Sequence, residues 1–231
     1  MNDFINLTKN IGLNLDNDTL NKFEQLFDRL NSENQKYNLT TITSREDVFL
    51  LHFFDSVTSH FLIPENATLC DVGSGGGFPA LPLKLVRPDI NLTMIDSVNK
   101  KVNYLNETCA LLNLSNAVAI HTRVEDFCKN GHREEFDVVT SRAVAKLPTL
   151  LEYCLPLVKV GGIFIAYKTD VAEELELSKN ALSILGGSIE KVHDISIEGK
   201  SLLRTLVVFR KISNSPKIYP RGKNLERLSP L

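Results

Sequence analysis

From Ala67 onward the chain alternates short apolar runs with helical stretches, and this alternation constrains the fold more than any other feature. Strands are expected at Thr68–Val72, Asn91–Asp96, Ala117–His121, Phe136–Ser141, Gly162–Tyr167, Ser188–Asp194 and Leu203–Arg210, with helices in most of the gaps. Strand–helix alternation implies a parallel sheet with helices on both faces. Strands buried on both faces read as nearly continuous apolar runs, as LTMID, FDVVTS and GIFIAY do. The last two strands are separated only by a short polar loop, Ser196–Ser201, so they are expected to pair as an antiparallel hairpin at one edge.

Ahead of this unit, Leu20, Phe23, Leu26, Phe27 and Leu30 recur at three- and four-residue spacing and make one apolar helical face. Asn17 or Asp18 is the expected cap. A further helix is expected after Ser44, with Asp47 completing a capping pair, and Pro64 marks a boundary. Residues 1–65 are therefore expected to form a helical extension, and residues 66–231 a sheet-containing domain with a basic C-terminal tail. The fold class is α/β: seven mostly parallel strands ending in a hairpin, the outline of a Rossmann-like class I methyltransferase.

The most specific local signal is the segment Asp71-Val72-Gly73-Ser74-Gly75-Gly76-Gly77-Phe78-Pro79, where a strand runs through four glycines into a helix. Glycine lets backbone approach a ligand closely, and the helix start offers free N–H groups. A nucleoside triphosphate loop would end in Gly-Lys-Ser/Thr, and this one ends in Gly-Phe-Pro. A dinucleotide loop would carry glycine where Phe78 stands. The form D-x-G-x-G-x-G suits S-adenosylmethionine, whose ammonium and sulfonium favour a nearby carboxylate. Asp96, twenty-three residues after Gly73, ends the second strand, where an acid accepts hydrogen bonds from ribose hydroxyls; it also suits a helix cap. Thr122–Asp126 follows the third strand, where backbone amides can meet an adenine edge; its acids also suit a helix cap.

The fourth strand ends in Thr140-Ser141-Arg142-Ala143-Val144-Ala145. It lacks the D/N-P-P-Y/F motif used on exocyclic amines, and the chain has no Pro-Cys pair for attack on cytosine C5. Net charge is −2, but residues from Arg204 to the end carry seven basic side chains against one acid, Glu226. That segment is thus +6 and the remainder −8. Such asymmetry points to an anionic partner or to a solubilising tail. The four cysteines are scattered without a C-x-x-C pair, which argues against a zinc site or disulfide framework and fits a reducing cytoplasm. No signal segment and no apolar stretch of membrane-spanning length is present.

Taken together, these residues resemble the RsmG (GidB) family, the 16S ribosomal RNA guanine-N7 methyltransferases. The resemblance spans nearly the whole chain. It runs from Tyr37–Thr43 and His52–Ser56 through the Asp71–Pro79 loop, Asp96-Ser97, Lys100-Lys101 and Arg123–Glu125. It continues through Thr140–Ala145 and Lys168 to Tyr219-Pro220-Arg221. The chain departs from the family at Ala80, where glycine is common, and at Val124, where alanine is common.

The resemblance implies cofactor contacts at Gly73, Phe78, Val124, Glu125 and Arg142, to which the spacing argument adds Asp96. It implies direct attack by guanine N7, so no catalytic base is expected; Arg142 and Lys168 are candidates for substrate positioning. Lys100, Lys101, Arg123 and Arg221 are candidates for gripping 16S RNA or the small subunit. His52 and Asp55 are expected to be structural. The implied protein is a cytoplasmic monomer with no membrane association. Competing readings are a methyltransferase of another RNA, a protein or a small molecule, a non-catalytic RNA-binding assembly factor, and a nicotinamide-dependent oxidoreductase. The intact loop with Asp71 and Asp96 speaks against the assembly factor, and Phe78 with the terminal hairpin against the oxidoreductase.

Overall fold

The computed structural model describes residues 1–196 and 203–231. Its centre is a seven-stranded sheet in the order β3-β2-β1-β4-β5-β7-β6. The strands are β1 (Thr68–Val72), β2 (Asn91–Asp96), β3 (Ala117–His121), β4 (Phe136–Arg142), β5 (Val158–Lys168), β6 (Gly187–Ser196) and β7 (Leu203–Lys211). The first five run parallel, and β7 lies antiparallel between β5 and β6. The expected terminal hairpin is therefore present, with the later strand inserted inward. Its connecting loop beyond Ser196 lies outside the described residues. The last four strands run longer than expected: β4 continues to Arg142, β5 spans Val158–Lys168, β6 spans Gly187–Ser196 and β7 ends at Lys211.

Alternate side chains of each central strand enter two separate cores, as a pleated strand covered on both faces requires. Leu69, Met94, Val138 and Ile165 face one way, with helices Ala80–Val86 and Asn99–Leu111 and the N-terminal helices. Cys70, Ile95, Val139 and Phe164 face the other, with helices Val124–Lys129, Leu147–Cys154 and Lys179–Leu185. The N-terminal helices, Asn2–Asn10 and Asn17–Tyr37, thus share a core with the sheet. Phe23, Leu26 and Leu30 are buried on the face that the spacing predicts. The cap, however, is Asp16, whose carboxylate accepts the Thr19 N–H at 2.8 Å. Asn17 and Asp18 fall inside the first turn, because capping needs an extended backbone that only Asp16 adopts there.

Ser44 caps the next helix as expected, accepting the Asp47 N–H at 3.2 Å. That helix widens into a seven-residue π-helical stretch, Val48–Phe54, before Asp55–Val57. The widened turn buries Phe49, Phe53 and Phe54 together with His52 and Asp55. π-Helical segments occur often at functional sites.

The basic tail is largely folded, and several of its cations are engaged within the chain. Lys211 is buried and donates to the carbonyls of Leu155 and Leu185 at 3.0 Å. Arg210 pairs with Glu190, and Arg221 is spent on the buried Glu152. No helix among the described residues is long and apolar enough to cross a membrane.

Candidate functional site

The carboxyl ends of β1, β2, β3 and β4 meet in a cleft, the usual ligand position in a doubly wound sheet. Gly73 leaves β1 with a φ of +72°, and a Cβ there would lie 2.5 Å from Val144 Cγ2. Only glycine allows that approach between the loop and the segment after β4. The loop is then tied to β2, because Asp96 Oδ2 accepts the Gly75 N–H at 2.9 Å and Oδ1 accepts the Val98 N–H at 2.9 Å.

Of the expected cofactor residues, Gly73, Asp96, Val124 and Glu125 line this cleft together. Arg123, expected at the RNA, lines it too, with Val144, Tyr153, Asn224 and Arg227 among its other walls. Arg227 reaches the Val144 carbonyl at 3.2 Å, so the C-terminal segment forms the outer wall. The enclosed volume is about 120 Å³.

Asp71 lies beneath the loop. Its Oδ1 accepts the Thr140 hydroxyl at 2.8 Å, while Oδ2 is buried with no partner among the described residues. Burial pushes the carboxyl up to about 6, against the opposing pull of the Ser74 and Thr140 hydroxyls. An unpartnered buried carboxylate oxygen costs free energy unless something meets it.

Phe78 and Arg142, also expected at the cofactor, lie on the side of the N-terminal helices. The Phe78 ring stacks on His52 with centroids 4.5 Å apart and a 10° tilt, and Arg142 Cζ stands 5.2 Å from its centre. Arg142 Nη1 donates to Asp55 Oδ2 at 2.7 Å and to the Leu51 carbonyl at 3.2 Å. Its Nη2 lies 2.9 Å from His52 Nδ1. A guanidinium only donates, so Nδ1 accepts and the His52 proton sits on Nε2, which donates to the Thr40 hydroxyl at 2.7 Å. Burial, reinforced by the Arg142 charge, lowers His52 to about 3, so this ring is neutral.

Arg142 and Lys168 line a second cavity of about 500 Å³ with His52, Tyr167, Asp170 and Arg204. Lys168 Nζ is held by Glu174 at 2.6 Å and by the Ala145 carbonyl at 3.0 Å. Ala143, between the two cavities, has a φ of +58°. That left-handed conformation is strained for a residue with a Cβ, and such strain clusters at functional sites. A third hollow of about 600 Å³ on the N-terminal helices shares no residue with either cavity.

Among the expected RNA contacts, Lys100 and Arg123 are exposed and Lys101 is half-buried. Arg123 lies 3.8 Å from Glu125. The Arg221 guanidinium is engaged by Glu152 at 2.7 Å and by the Ser229 carbonyl at 2.8 Å, so it braces the cleft's outer wall. Sequence reasoning did not mark Tyr153 or Asn224, held Thr40 only within the Tyr37–Thr43 segment, and counted Arg227 only among the tail cations. It placed Asp55 in a structural role and Arg204 only among the tail cations. No local spacing marks any of them, since each reaches its site through contacts distant in sequence.

Comparison with known proteins agrees with this geometry. Residues 19–203 match the family described as rRNA small subunit methyltransferase G (GidB). A ribosomal RNA small subunit methyltransferase G from Exiguobacterium sp. is 44% identical over 99% of this chain and 98% of its own length. Its counterpart from Bacillus subtilis is 42% identical over 95% of this chain and 94% of its own. Among solved structures, P. horikoshii TYW2 in complex with MeSAdo superposes with a TM-score of 0.57 at 16% identity, covering 70% of this chain and 62% of that one. M. jannaschii TYW2 in complex with AdoMet does so with a TM-score of 0.54 at 17% identity, covering 74% and 80%. At such identities these structures speak for the Rossmann-like methyltransferase fold alone. The sequence matches, spanning almost the full length of both chains, go further: this chain belongs to the rRNA small subunit methyltransferase G (GidB) family.

Proposed function

We propose that the chain is a cytoplasmic, monomeric S-adenosylmethionine-dependent enzyme that methylates N7 of a guanine in 16S small-subunit ribosomal RNA. The observation that carries the cofactor assignment is Asp71, with its buried, unpartnered Oδ2 beneath a glycine loop. A cationic amino group, met directly or through one water, satisfies that oxygen. Asp96 retains lone pairs beyond its two backbone bonds for ribose hydroxyls. Gly73 leaves room for close approach, and Val124 and Glu125 present the start of a helix. Phe78 and Arg142 back the loop from behind and shape its floor.

When bound, S-adenosylmethionine supplies an electrophilic methyl on a sulfonium; the new N7–C bond forms as the C–S bond breaks, and that electron pair stays on sulfur. Guanine N7 brings its own lone pair and has no proton to lose. The residues fit a reaction without a base. His52 is neutral with both nitrogens engaged. All four cysteines are buried and free, and burial raises every thiol, Cys109 to about 11. Cytosine-C5 chemistry through a thiolate therefore finds no candidate. What remains for the protein is positioning, which can supply about 7–11 kcal/mol. Lys100, Lys101 and Arg123, near the strand ends, grip the RNA backbone.

The test is label transfer from S-adenosylmethionine to unmethylated small ribosomal subunits, with free 16S RNA, tRNA and bulk protein in parallel. Label confined to 16S RNA, and released by cleavage at one 7-methylguanine, is expected. Label in tRNA or protein would reassign the substrate.

A second expectation concerns pH. With Asp71 raised to about 6 in the free protein, cofactor affinity should weaken as pH falls below that value, because the neutral acid no longer attracts the ammonium. Between the ordinary carboxylate value and about 6 the folded chain holds a proton that the unfolded chain has released. Stability of the free protein therefore drops as pH rises through that window and stays lower above it. Asp71→Asn should thus raise the thermal midpoint of the free protein at pH 8 while abolishing cofactor binding, as calorimetry and a melting curve would show. An unchanged dissociation constant would remove Asp71 from the site.

A further inference from the structure

The second cavity contains a basic group that none of the assignments above uses. Arg204, at the start of β7, lays one edge of its guanidinium along Asp55, with Nε 2.6 Å from Oδ1 and Nη2 2.9 Å from Oδ2. Asp55 is fully buried and also holds Arg142. Two cations therefore share one anion, and the cavity floor keeps a net positive charge. The other carboxylates leave this surplus in place. Glu174 is spent on Lys168, and Asp170 stands at the exposed rim, where water and salt screen it.

The two arginines differ in the edge they leave free among the described residues. Arg142 keeps Nε and one Nη2 hydrogen, and Arg204 keeps the end formed by Nη1 and Nη2. Arg142 commits Nη1 to Asp55 and Leu51 and one Nη2 hydrogen to His52. Arg204 commits Nε and one Nη2 hydrogen, so its outer edge, Nη1 and the remaining Nη2 hydrogen, has no partner among the described residues. A planar guanidinium edge matches a phosphate with two parallel hydrogen bonds. The same edge on a guanine would straddle O6 and N7 and block the atom to be methylated.

We propose that Arg204 anchors a backbone phosphate at the target nucleotide, and that Asp55 is a positioning residue that fixes the direction of this guanidinium. The inference rests on the ribosomal RNA methyltransferase reading. It divides the work between the cavities: the cleft at β1–β3 takes the cofactor, and the cavity at β4, β5 and β7 takes the nucleotide by its phosphate.

The experiment compares wild type, Arg204→Gln and Asp55→Asn on unmethylated small subunits across about 50–200 mM salt, with cofactor affinity measured separately by calorimetry. Arg204→Gln should lower kcat/KM by about 30-fold or more. It should also flatten the slope of log(1/KM) against log salt by about 0.7–0.9, the value of one phosphate contact. Cofactor affinity should stay within about threefold of wild type in both variants, since neither residue lines the cofactor cleft. Asp55→Asn keeps both positive charges but loosens the fork, so it should lower kcat/KM without flattening the slope. An unchanged salt slope in Arg204→Gln, or a parallel loss of cofactor binding, overturns the proposal. Should Asp55→Asn fail to fold, the half-buried Arg204 variant decides alone. Failure of wild type to label any RNA would instead strike down the underlying reading, and the proposal with it.

Discussion

Asp96→Ala is expected to weaken S-adenosylmethionine binding by about 10²–10³-fold. Asp96 is nearly buried, and each of its oxygens accepts a backbone N–H, from Gly75 on one side and Val98 on the other. Hydrogen bonds to a charged group contribute about 1.5–3 kcal/mol each. The substitution removes both ties, releases the glycine loop from β2 and deletes the acceptor proposed for the ribose. A combined loss of about 3–4 kcal/mol corresponds to that range, at about 1.4 kcal/mol per factor of ten. Titration calorimetry of the two proteins measures it directly. A dissociation constant within threefold of wild type would show that the loop holds itself without Asp96 and that the ribose lies elsewhere.

The largest expected effect on stability is that of Gly77→Ala. Gly77 adopts a φ of +92°, and a Cβ there would come within 2.4 Å of Leu81 Cδ1, 2.8 Å of Leu81 Cγ and 3.1 Å of Leu105 Cδ2. The strained backbone costs about 1–3 kcal/mol. Overpacking against two buried leucines adds about 1–3 kcal/mol more. Leu81 opens the helix that follows the loop, and Leu105 lies on the helix after β2, so neither can move without disturbing the sheet contact behind it. For a chain of this size about 1 kcal/mol shifts the melting midpoint by about 2–4 °C, so the combined cost of about 2–6 kcal/mol predicts a drop of roughly 4–24 °C. A melting curve unchanged by the substitution would mean that the loop relaxes freely, and the close-packing account of this glycine would fail.

The central strands were legible because a doubly covered strand needs an apolar run, a local property. Edge strand β3, with only Ala119 buried, was legible from its place in the strand–helix alternation. Thr68–Val72, Asn91–Asp96 and Ala117–His121 appear in the structure where the pattern placed them. The glycine loop and Asp96 were legible for the same reason: turn geometry and strand-end position depend on neighbours a few residues away. Asp16 escaped because three adjacent residues, Asp16, Asn17 and Asp18, can each cap, and only the backbone path selects one. The separation of Phe78 and Arg142 from the cleft lined by Gly73, Asp96, Val124 and Glu125 was not legible. Phe78 and Arg142 are close in the chain to Gly73 and Val144, yet the stacking of Phe78 on His52 and the pull of Asp55 on Arg142 turn both to the other side.

Sequence alone determined the α/β architecture, the terminal hairpin and the glycine loop with its acid, because these follow from periodicity and from conformational limits that act within a few residues. Tertiary structure decided the fate of the charges. Arg204 meets Asp55 across 149 residues, and Arg221 meets Glu152 across 69. A cation that pattern counts as part of a basic tail becomes a cavity donor, a wall brace or a buried clamp according to which carboxylate or carbonyl the fold brings to it. Burial sets that outcome: a charge removed from water must find a partner, and the partner is chosen by the packing of the whole sheet and not by any spacing along the chain.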